Sequence, residues 1–243
     1  MQFIAQFRET RDVTQADYAF HLERARRVIE VLAAKDRRLS EWFLTGDTKE
    51  EALLYPVYEA DGTATTAAIA VLKEEYREEG HLAKSIAMWN GQERKRDGAA
   101  LSLAFDNEPL THDFDLSLGE ESPDASRLGD FESVAEVVAA IANTYMPAYV
   151  SAGPRKYSSK QVFDDKPGVG WMIYLPKVVT VQQVPEARAL IPVPEAGRKQ
   201  TGTIIVSVTD GVFSVDNPEH LEVANRIEIR LVDQDLLPRY ADI

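Results

Sequence analysis

Three stretches decide the fold: Ile86-Ala87-Met88-Trp89-Asn90, Ala99-Ala100-Leu101-Ser102-Leu103-Ala104-Phe105 and Phe114-Asp115-Leu116-Ser117-Leu118. In the third, apolar and polar residues alternate without a fault, the period of a strand that turns one face to a core. The charged segment from Gly91 to Gly98 reads as the turn between the first two. Strands that follow one another in runs, instead of alternating one by one with helices, predict an α+β fold: a mixed, largely antiparallel sheet with helices packed on it.

Working outward, Met1 to Arg8 alternates as a first strand. Ala16, Phe20, Ala25, Val28, Ile29 and Leu32 recur at helical spacing and predict a helix to about Lys35, with Thr14 and Asp17 resembling a capping box at its start. Arg24, Arg26, Arg27 and Lys35 fall on its opposite face. Thr48 and Glu51 form a second capping box for a short helix ending before Pro56, and a third helix is predicted over Thr65 to Glu79, stopped by Gly80. Asp130 caps a helix over Phe131 to Tyr145, and Asn217-Pro218 opens a last one that Leu237-Pro238 closes. Further strands are predicted at Tyr149 to Ala152, Trp171 to Leu175, Val178 to Val181 and Thr203 to Val208. Residues 1–243 read as one domain whose halves, 1–120 and 121–243, each offer a helix followed by several strands.

The charge balance is 27 basic against 40 acidic side chains, a net of −13, which repels nucleic acid and anionic lipid and favours a basic partner. No cysteine is present, so disulfides, thiolate zinc sites and cysteine nucleophiles are excluded. No apolar run approaches the roughly 18 residues of a membrane-spanning helix, and the alternating N-terminus is unlike an export signal. The expectation is a cytoplasmic protein that binds neither membrane nor nucleic acid.

The residues that carry chemistry are scattered. His21, His81, His112 and His220 show no ligand spacing and read as solvated or capping residues. Neither a nucleophile elbow nor a phosphate-cradling glycine loop occurs. Asp113, Asp115, Ser117 and Asp124 match positions one, three, five and twelve of a calcium loop, but Leu118 stands where the turn needs glycine, and the interleaved Phe114, Leu116 and Leu118 argue for a strand. Glu93-Arg94-Lys95 reads as a solvated turn. A two-carboxylate hydrolase has only Asp113 with Asp115, or Asp164 with Asp165, and no motif surrounds either pair. We therefore expect no catalytic residues, no cofactor and no metal.

Charge distribution does stand out. Asp106 to Glu136 holds ten acids and one base, Arg127, so −9 of the net −13 lies in 31 residues. Asp130 and Glu132 suit a helix start. The rest reads either as a solubilising loop or as a docking surface for a basic protein, and the candidate partner-binding residues are Asp106, Glu108, Asp113, Asp115, Glu120, Glu121 and Asp124. Glu120, Glu121 and Asp124 are expected to be exposed loop residues.

Ile86 to Gly91, Gly170-Trp171-Met172-Ile173-Tyr174-Leu175-Pro176, Gly202 to Ser207, Asn217-Pro218-Glu219-His220, Ala224-Asn225 and Leu236-Leu237-Pro238 together resemble the immunity protein 52 family of bacterial polymorphic toxin systems. Trp42 to Gly46 and Glu50-Glu51-Ala52 fit as well. The resemblance implies a cytoplasmic antitoxin that binds and silences a cognate toxin domain, often a nuclease of restriction-endonuclease type, without catalysis. An acidic adaptor or chaperone for a secreted effector is the alternative. Trp89, Trp171 and Tyr174 are strand residues whose default role is core packing, with interface aromatics as the counterweight.

Overall fold

Asp130 starts the most apolar of the long helices by accepting the Ser133 N–H at 2.9 Å, which satisfies one of the donors a first helical turn leaves open. It belongs to a computed structural model describing residues 1–9, 17–77, 83–106, 111–122, 125–194 and 199–243, with the side chains of Ala83 and Asp106 outside that description. The chain divides into two compact units, Met1–Phe7 with Glu120–Ile243, and Arg8–Gly119.

In the first unit, β1 (Gln2–Phe7), β6 (Tyr149–Gly153), β7 (Met172–Leu175), β9 (Gly202–Val206) and β8 (Ala189–Val193) lie side by side in that order, each neighbour antiparallel. The helix α4 (Phe131–Tyr145) packs on β6, β7, β9 and β8. The last helix, α5 (Pro218–Asp233), buries Ile227 and Leu231 with Ile173, Leu175 and Ile205. Every residue of β7 and β9 is buried, as expected of strands covered on both faces. At about 1.5–3 kcal/mol per buried aliphatic side chain, this sandwich dominates the unit's stability.

The second unit is built differently. Here β2 (Phe43–Leu44), β3 (Ala83–Trp89), β4 (Ala99–Asp106) and β5 (His112–Leu118) form an antiparallel meander. Ile86, Met88, Leu101, Leu103, Phe105, Phe114, Leu116 and Leu118 are buried, whereas the alternate positions Ala100 and Ser102 are exposed and Ala87, Asp113, Asp115 and Ser117 half-buried. The helix α1 (Tyr18–Lys35) sits on the buried face, where the His21 ring lies 3.9 Å from that of Phe105. The short α2 (Lys49–Ala52) and α3 (Thr66–Glu75) complete the unit, capped by Thr48 and Thr65.

The antiparallel α+β architecture agrees with the reading of the sequence, and several details differ. Asp17 caps α1, accepting the Phe20 N–H at 3.2 Å, and Thr14, like Gly80 and His81, lies outside the described residues. Arg24 is buried, not solvated, because its guanidinium pairs with Glu9 at 2.5 Å and covers the Phe20 ring. His21 is likewise a core residue, 3% exposed. The helix from Thr65 ends at Glu75, where Tyr76 turns away and receives the Ser85 N–H on its hydroxyl oxygen at 3.0 Å. Val178 to Val181 is loop, with Val178 and Val181 exposed, and the missing strand is β8.

Candidate functional site

The residues of the family resemblance turn out to hold the fold together. Asn90, 1% exposed, clamps the β3–β4 turn by donating to the Arg38 and Asp97 carbonyls and accepting the Ala99 N–H at 2.7 Å. Gly91 follows with φ of +70°, and a Cβ there would stand 2.9 Å from the Phe43 ring. Trp171 is fully buried, its indole donating to the Val208 carbonyl at 2.9 Å, and Tyr174 is buried beside Gly202. The Ser207 hydroxyl donates to the Gly170 carbonyl at 2.7 Å. Asn225 and Glu228 bracket the Tyr157 hydroxyl. Such buried residues position the surfaces around them.

The acids of the 106–136 segment take several different roles. Asp113 and Asp115 sit two apart on β5, so their side chains share one face, opposite Ala104 and Ser102 of β4. The Asp115 carboxylate accepts the Ser117 hydroxyl at 3.3 Å. Glu120, expected in an exposed loop, has a side chain only 16% exposed: its carboxylate accepts the Arg127 N–H at 2.8 Å and lies 3.9 Å from the Met1 nitrogen. Glu121 is exposed, and so are Glu132 and Glu136 on α4, while Asp130 is spent on its cap. Asp106 ends β4 in backbone, and Glu108 and Asp124 lie outside the described residues. The pair that geometry brings together is therefore Asp113 with Asp115.

A second feature shares their sheet. Phe43 pairs with Trp89, Trp89 with Ala100, and Ala100 with Ser117, a row of directly opposed residues whose side chains stand on the face of Asp113 and Asp115. Phe43 and Trp89 are half-buried, and the Trp89 indole N–H is out of solvent without an acceptor among the described residues. A Cβ on Gly91 would lie 3.7 Å from a Leu53 methyl as well as against Phe43, which places Leu53 beside this aromatic pair. Leu53 is 37% and Leu54 69% exposed, although both are tied into the turn after α2 by N–H bonds to the Lys49 and Glu51 carbonyls. Asp47, Glu50 and Glu51 around them are exposed. The one base of this stretch, Lys49, is hydrogen-bonded to Glu93, which raises its pKa and lowers that of Glu93. The sequence reading missed this corner because two adjacent leucines look like core until the turn exposes them.

Among the described residues no group of three or more His, Asp or Glu side chains is arranged to hold a metal ion, and no helix is long and apolar enough to cross a membrane.

The family model for immunity protein 52 matches residues 6–239, nearly the whole chain. No curated protein matches it. Among solved structures, the Pseudomonas aeruginosa T6SS protein PA0821 aligns at a TM-score of 0.49 and 10% identity, over 94% of this chain and 72% of that one.

Proposed function

The chain belongs to the immunity protein 52 family, and from that premise we propose that it is an antitoxin that neutralises a cognate toxin by binding it, with no chemistry of its own. The observation that carries this reading is the sheet of residues 43–118. One of its faces is packed under α1, and the other carries Asp113 and Asp115 among alanine and serine side chains short enough for a partner to approach the backbone closely. The toxin is a nuclease of restriction-endonuclease type, delivered by a polymorphic toxin or type VI secretion system. An enzyme that grips a phosphate backbone presents a positive cleft, and a chain of net charge −13 complements it.

Under this reading the partner meets acids of the segment from Asp106 to Asp124, with Asp113 and Asp115 on β5 steering the encounter. Residues 1–243 act as one immunity domain, supported by a family match that runs through both compact units. Binding takes place in the cytoplasm of the cell that makes the toxin. Co-expression with the toxin domain encoded by the adjacent gene tests the proposal. Cells are expected to survive, and equal killing with and without this chain sinks it.

A further inference from the structure

Resting on that reading, we propose that the corner formed by Leu53 and Leu54, backed by Phe43 and Trp89, is the apolar anchor by which the chain grips its toxin, and that the anchor's partner surface is an apolar pocket with a basic rim. Leu54 is the most exposed large apolar side chain among the described residues, and Leu53 is its immediate neighbour. Adjacent exposed leucines cost solubility, and a mobile tail would hide them by collapse. These two are instead displayed on a hydrogen-bonded turn, so their side chains lose little freedom when a partner covers them. Beside Leu53 at Gly91, the half-buried Phe43 and its cross-strand partner Trp89 enlarge the apolar area, and aromatic and aliphatic anchors fully covered on binding are where interface energy concentrates.

Charge selects the occupant. Exposed Asp47, Glu50 and Glu51 precede the leucines in the same short segment, and Lys49 is engaged by Glu93, so the charge beside them is acidic and matches a cationic surface. A second copy of this chain would bring the same acids against themselves and is disfavoured. The corner also adjoins the face of Asp113 and Asp115. Two strand spacings and two residues along the strand separate Trp89 from Asp115, about 12 Å, well inside one interface of standard size. Acids at one end would set the rate of encounter, and the apolar corner would set its lifetime.

The test uses the full chain and a catalytically inactive form of the toxin domain encoded by the adjacent gene, with binding kinetics and melting temperature read on each variant. Leu54→Arg, on an exposed side chain, is expected to melt with the parent, to weaken binding by at least about tenfold, mainly through faster dissociation, and to abolish protection of cells. Val181→Arg, equally exposed but in the other unit, is the control and is expected to bind as the parent does. Glu50→Lys is expected to slow association at low salt, with the difference shrinking as salt is added. If the parent binds and both Leu54→Arg and Leu53→Arg bind within about twofold of it, the anchor is elsewhere and the proposed function stands. If the parent itself fails to bind the folded toxin domain, the proposed function falls.

Discussion

The carboxylate of Glu228 accepts the Tyr157 hydroxyl at 2.5 Å across 71 positions of sequence, and on the same side chain it accepts the N–H groups of Val162 at 2.7 Å and Val169 at 2.9 Å. One carboxylate, 1% exposed, thus ties α5 to the loop that leads into β7. Glu228→Ala leaves two backbone donors and a phenol without an acceptor in a buried site. At about 1–3 kcal/mol for each stranded group, it is expected to destabilise by more than 3 kcal/mol. Tyr157→Phe, which keeps both backbone bonds, should cost less than half as much. Equal losses for the two substitutions, read by denaturant unfolding, would contradict this account.

Burial pushes the Glu228 carboxyl above its ordinary 4.5, against the opposing pull of its three donors. A carboxyl that holds its proton more tightly when folded contributes stability that is complete below the unfolded pKa and lost as pH rises through the folded one. Between pH 7 and 4.5 the parent is therefore expected to gain stability relative to Glu228→Gln, whose amide does not titrate. Parallel stability curves for the two proteins across that range would show that Glu228 is not the titrating group.

Trp89 and Trp171 make opposite forecasts from the same substitution. The Trp171 indole donates to the Val208 carbonyl in a fully buried site, so Trp171→Phe opens a cavity and strands an acceptor, at about 2–4 kcal/mol. The Trp89 N–H has no acceptor among the described residues, so Trp89→Phe removes an unsatisfied donor along with some packing and is expected to fall within about 1 kcal/mol of the parent. Melting temperatures of the two variants, measured side by side, check the order.

Glu120 and Glu121 are neighbours with different duties. Glu120→Lys replaces the acceptor of the Arg127 N–H and is expected to lower the melting temperature by several degrees, whereas exposed Glu121→Lys should leave it unchanged. A triple reversal at Glu120, Glu121 and Asp124 would confuse steering with folding. Glu121→Lys alone, by association rate at two ionic strengths, is the cleaner probe of the acidic segment.

Much of the architecture is written in local pattern. The alternation of Phe114 to Leu118 and of Ala99 to Phe105 predicts β5 and β4, because each side chain's face follows from the pleat alone. Asp130, Thr48, Thr65 and Asn217 announce their helices, because a cap acts on N–H groups two or three residues away. The family, too, is legible, since stretches of the sequence from Trp42 to Pro238 resemble it in order and the family model matches residues 6–239.

What depended on distant partners was not legible. Val178 to Val181 has the composition of a strand and Ala189 to Val193 carries Pro192, yet the second pairs with β9 and the first does not. Pairing was decided by which segment the chain brought alongside, and an edge position tolerates the missing N–H. Arg24 reads as solvated until Glu9 is opposite it, and Glu228 looks like an ordinary helix-surface acid until Tyr157 arrives from 71 residues away. Leu53 and Leu54 invert the rule from the other side: apolar in sequence, they are left exposed on the hydrogen-bonded turn after α2. Burial is a property of the whole packed chain, so charge and hydropathy predict it only on average, and the residues that depart from the average carry the buried clamp and the proposed anchor.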